Sequence, residues 1–117
     1  SYRWSSVHCA GVVYHGGLSG PSDRNLKMNF GTSPGVSFIK DLMPLSFSWK
    51  ESPDKPQWGF VAQDVEEACT TNEIDKSIMV HTLAEDGYKY LDSVIMITPI
   101  VKALQEVITR VEALENG

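Results

Sequence analysis

Hydrophobic and polar positions recur with distinct periods along this chain, and each period predicts an element. The clearest run comes last. Ile97, Ile100, Leu104, Val107, Val111 and Leu114 stand alternately three and four apart, the seam of a heptad repeat on a helix of about 94–115. Ile97, Leu104 and Val111 fall at position a, and Ile100, Val107 and Leu114 at position d. β-Branched residues at d disfavour a parallel dimer and shift the preference toward trimers or tetramers. Val101 and Ile108 at position e widen the stripe. A helix lying on its own domain carries such a stripe too, so periodicity leaves both readings open. Pro99 fits the first turn, with Ser93 or Thr98 as cap.

Shorter periods precede this helix. Val36 to Met43 has helical spacing and stops at Pro44. Leu45-Ser46-Phe47-Ser48-Trp49 alternates strictly, as a strand with one buried face does. The polar stretch Lys50 to Pro56 reads as its hairpin loop, and Trp58-Gly59-Phe60-Val61 as the returning strand. That alternation assigns Phe47, Trp49, Trp58 and Phe60 to core packing rather than to an aromatic sugar platform. Ala62 to Ala68 carries helix formers, and Ile78 to His81 and Tyr88 to Leu91 flank Asp86-Gly87, a hairpin signal. His81 on that hairpin reads as structural. The fold class is α+β: a small sheet or hairpin body with short helices and a long C-terminal helix.

The first residues differ in character. Residues 1–21 hold no acid, and a β-like run from Val7 to Tyr14 gives way to the Gly- and Pro-punctuated loop of His15 to Pro21. We expect residues 1–21 to be the end of an upstream segment plus a linker, and 22–117 to be the domain. The lack of Met before Ser1 fits a fragment.

Composition narrows the function. The 117 residues suffice for one domain, and 42% hydrophobic with 21% charged residues is globular usage. Ten basic against fifteen acidic residues give a net charge of −5, which argues against a nucleic-acid partner. No apolar run has the length of a membrane span, and no secretory signal pattern opens the chain. Cys9 and Cys69 make no disulfide framework and fit a reducing compartment. His8, Cys9 and His15 lack CxxC or HExxH partners, so no metal is expected. Gly16-Gly17-Leu18-Ser19-Gly20 lacks the ending of a phosphate loop, so no cofactor is expected.

One stretch carries candidate chemistry, Ser22-Asp23-Arg24-Asn25-Leu26-Lys27. A Ser and a Lys form a nucleophile–base pair without histidine, provided the segment turns. The competing reading is a helix start, with Ser22 as N-cap and Lys27 solvated.

That stretch, followed by Phe38-Ile39, Leu42 and Pro44 to Lys50, resembles the self-cleaving intramolecular chaperone domain of phage tail spikes and fibres. The likeness continues through Gly59 to Glu67, Tyr88 to Asp92 and Pro99 to Glu106, covering about Ser22 to Leu114. Similar domains occur in endosialidase tail spikes, neck appendages, long tail fibres and a membrane-bound animal transcription factor; a phage source is expected here. The resemblance implies a homotrimer, its C-terminal helices forming a trimeric coiled coil. It would register three copies of an upstream fibrous, often β-helical, passenger and then release itself. It implies Ser22 as nucleophile, Lys27 as base and a cut between Pro21 and Ser22. It also implies action in the host cytoplasm during virion assembly, with the passenger kept in the tail. Asp23 is expected to bond nearby backbone or Arg24 rather than act as a third catalytic member. A non-cleaving trimer cap and a receptor- or glycan-binding fibre tip are the alternatives.

The implied chemistry also stands on physical grounds. Attack of Ser22 Oγ on the Pro21 carbonyl carbon closes a five-membered ring, a large proximity advantage. A lysine serving as base has to be neutral, and an ordinary lysine is neutral in about one molecule in a few thousand at pH 7. Desolvation supplies the difference, so burial on trimer assembly is expected to gate the cut.

Overall fold

The structure, a computed structural model, describes residues 20–117. The chain divides into a first unit that ends at Thr32 and a second from Ser33 to Gly117. The sequence readings at Val7 to Tyr14, and those for His8, Cys9 and His15, lie outside the described residues.

In the first unit the chain makes a single 3-10 turn, Arg24–Leu26, capped by Asp23. Asn29 then takes a left-handed conformation at φ 57°, which asparagine tolerates better than most residues. The reversal accompanies a stack in which the Arg24 guanidinium lies 5.0 Å from the centre of the Phe30 ring.

The second unit holds three helices and four strands. Helix α1 is Val36–Ile39. Strands β1 (Leu45–Phe47) and β2 (Gln57–Gly59) pair antiparallel. Helix α2 is Ala62–Thr71, strands β3 (Val80–Thr82) and β4 (Lys89–Leu91) form a second hairpin, and α3 runs from Ile97 to Asn116. The α+β body of two hairpins, short helices and a long last helix is as the periodicities predict.

Local chemistry explains where these elements stop. The expected helix over 36–43 closes after Ile39, and the turn bonds Asp41 N–H to Phe38 O and Leu42 N–H to Ile39 O finish it ahead of Pro44. Helix α2 runs three residues beyond the expected Ala68, because Asn72 caps it. The Asn72 backbone N–H donates to Ala68 O, and its side-chain amide donates to the same carbonyl at 2.8 Å and to Asp41 at 2.9 Å. Glu73, left-handed at φ 57°, lets Ile74 N–H return to Cys69 O at 2.9 Å. At the second hairpin Gly87, with φ 73°, supplies the turn that Asp86-Gly87 announces. Neither Ser93 nor Thr98 caps α3. A 3-10 turn, Val94–Met96, feeds directly into the helix and its carbonyls take the place of a side-chain cap.

Phe38, Val65, Ala68, Cys69, Met79, Val80 and Met96 form the core, with Phe60 and Leu91 packed against it. Trp49 and Trp58 do not join it, contrary to expectation, and Trp58 is 91% exposed. The register decides this. Trp58 pairs with Ser46, so it shares the outward face of Ser46, opposite Leu45 and Phe47. Trp49 lies beyond the end of β1 and stacks edge-on against Phe47 at 5.0 Å. Among the described residues no helix is long and apolar enough to cross a membrane.

Candidate functional site

Two extended residues flank the 3-10 turn of the first unit, Asp23 at φ −69°, ψ 137° and Lys27 at φ −119°, ψ 156°. Between them the chain folds back. Leu26 N–H donates to Asp23 O at 3.0 Å, and Lys27 N–H donates to Arg24 O at 3.1 Å. The result brings together two side chains five positions apart: Lys27 Nζ donates a hydrogen bond to Ser22 Oγ at 2.7 Å.

This replaces the reading in which Ser22 caps a helix and Lys27 is merely solvated. Asp23 is the cap, its Oδ1 accepting the Asn25 N–H at 2.8 Å, which is the backbone role expected of it. Pro21, Ser22, Asp23 and Lys27 are all exposed in the single chain. At 2.7 Å a neutral amine at Nζ takes the seryl proton without further movement. The pair therefore has the geometry of a nucleophile and its base.

Other chemistry-bearing residues stand apart from this pair. Cys69 is a free, buried thiol, and burial pushes its pKa up, with the charges of Glu66 and Asp75 adding to the shift. Such a thiol stays protonated and inert. His81 is exposed on β3. Among the described residues no group of three or more His, Cys, Asp or Glu is arranged to hold a metal ion. An open apolar depression on the first hairpin is lined by Pro44, Leu45, Ser46, Trp58, Gly59 and Phe60, none of them from the Ser22 to Lys27 segment.

Residues 22–73 match the family model described as Peptidase S74, chaperone of endosialidase. Over these residues the chain is similar to a chaperone-of-endosialidase domain. The match begins at Ser22 and runs through the turn, α1, the first hairpin and α2. The family is one of intramolecular chaperones that are self-cleaving serine peptidases, which agrees with the resemblance drawn from the sequence. No curated protein and no solved structure matches the chain significantly.

Sequence reasoning missed one contact that shapes the second unit. Glu106 Oε1 on α3 accepts the Val36 N–H at the start of α1, at 2.7 Å. A Gly immediately before a helical spacing, and an acid on the inner face of a later helix, were the available signals. Neither states that the two meet.

Proposed function

We propose that this chaperone-of-endosialidase domain cleaves its own chain between Pro21 and Ser22, with Ser22 as nucleophile and Lys27 as base. The observation that carries the reading is the 2.7 Å contact between Lys27 Nζ and Ser22 Oγ, in a segment where the family match begins. A neutral Lys27 amine removes the Oγ proton as Oγ bonds to the Pro21 carbonyl carbon. The tetrahedral intermediate collapses with rupture of the Pro21–Ser22 C–N bond, and the new α-amine of Ser22 takes up a proton. Water then hydrolyses the Pro21 ester, giving a Pro21 carboxylate and a restored Ser22 hydroxyl.

The amine has to lose its proton first, and both groups are exposed in the single chain. Assembly supplies the missing desolvation. The stripe on α3 supports a trimer, because Ile97, Ile100, Leu104, Val107, Val111 and Leu114 all remain exposed on the isolated chain in a heptad pattern with β-branched residues at two of its three d positions. In this reading three copies register an upstream fibrous passenger, and assembly buries Lys27 and starts the cut. Phage assembly in the host cytoplasm is the setting, with the passenger retained in the tail.

Intact mass of the full-length protein under denaturing conditions tests the proposal beside Ser22→Ala and Lys27→Ala. The parent should split before Ser22 while both variants stay whole, losing at least about 10³-fold in rate, as removal of a nucleophile or its base does. A parent that sediments as a trimer and stays whole would replace this reading with a permanent trimerisation cap.

A further inference from the structure

We propose that Asp23 is a positioning residue for the cleavage, acting through the turn that folds Lys27 back onto Ser22. The inference rests on the Ser22–Lys27 reading and asks what holds that pair together. Fully extended, five residue steps separate two α-carbons by about 17 Å, beyond the reach of a lysine side chain. Contact therefore depends on the turn between them.

Among the described residues that turn has little else to stabilise it. It is one 3-10 turn of three residues, Arg24–Leu26, a length at which helical structure alone is marginal in water. Every residue from Gly20 to Thr32 is exposed, so no buried side chain anchors it. Two backbone bonds close it, Leu26 N–H to Asp23 O and Lys27 N–H to Arg24 O. The Asn25 N–H, which the turn itself leaves without a backbone acceptor, goes to Asp23 Oδ1 at 2.8 Å. A side chain that accepts this bond favours the turned state as an N-cap favours a helix. Arg24 stacked on Phe30 at 5.0 Å braces the far side of the same loop. Asp23 thus sets how often Nζ meets Oγ without touching the reacting atoms.

The cap needs an acceptor oxygen, not a charge. Asp23→Asn and Asp23→Ser keep such an oxygen and Asp23→Ala removes it. Cleavage of the full-length protein, followed by intact mass over a pH series, should slow about fivefold in Asp23→Ala, within about two- to thirtyfold, the range set by losing a cap. Asp23→Asn and Asp23→Ser should cleave within about threefold of the parent, as capping residues of similar rank, with an unshifted pH profile. Should Asp23→Ala not assemble, the Asn and Ser variants carry the test alone. Cleavage by Asp23→Ala at the parental rate overturns the inference. So does an Asp23→Asn variant that is blocked or has a displaced pH profile, since charge would then be the working property. Ser22→Ala and Lys27→Ala run in parallel: if either still cleaves, the Ser–Lys reading itself fails, whereas their loss together with a fully active Asp23→Ala sinks the positioning role alone.

Discussion

Asp86 engages both carboxylate oxygens on its own hairpin, accepting the Tyr88 N–H at 2.8 Å and the Tyr90 hydroxyl at 2.6 Å. The Tyr90 bond first, then the backbone bond, holds its carboxyl below the ordinary value of 3.8. A depressed folded-state pKa means stability that is present above the unfolded value and is lost as pH falls through the folded one. Asp86→Asn imitates the protonated acid, so it should be less stable than the parent at neutral pH. The gap, small for an exposed group, should close as pH drops below about 3.8 in a denaturant titration. At this scale the sequence is a good guide where the signal is local: Asp86-Gly87 announces its turn, and Asp23 its backbone bond. Trp58 shows the limit. Its exposure follows from pairing with Ser46, and register depends on which residues of two strands meet, something alternation within either strand leaves open.

Helix α1 illustrates the next scale. Four residues make no stable helix alone, and α1 persists because Phe38 is buried and because Glu106 of α3 takes the Val36 N–H. Gly35 leaves room for that carboxylate; a β-carbon there would collide with Glu106 Oε1. The side chain would swing away and forfeit its bond, so Gly35→Ala and Glu106→Ala should each destabilise the domain by about 1–3 kcal/mol, the cost of orphaning a partly buried donor. Their effects should not add. A double-mutant cycle by urea unfolding should show the second change costing little once the first is made. The helical spacing of Val36 to Met43 is visible in the sequence, but its early stop and its fastening depend on a residue seventy positions away. No periodicity encodes that.

For the whole molecule, the apolar stripe of α3 is the feature that a single chain leaves without a partner. Val107 is 44% exposed and Leu104 57%, so neither holds the monomer together. If α3 forms the proposed trimer seam, Val107→Asp should leave the far-ultraviolet circular dichroism of the domain intact while abolishing the trimer in sedimentation, because a charge at position d would be stranded in an apolar seam. If assembly gates cleavage, that variant should also stay whole by mass; cleavage at the parental rate would exclude the gate. The heptad stripe and the α+β class were legible from spacing alone, because both depend on one element or its neighbours. The same distinction governs how fast the domain takes shape. Each hairpin joins adjacent strands, closing loops that form in microseconds, whereas the Val36–Glu106 bond joins residues seventy apart and has a larger closure entropy to overcome. If docking of α3 on α1 is then the slow event, Glu106→Ala should retard refolding in stopped-flow more than it hastens unfolding. Under the proposed function, registry of an upstream passenger would wait on that step, and a carboxylate far from Ser22 in sequence would set the clock for the assembly.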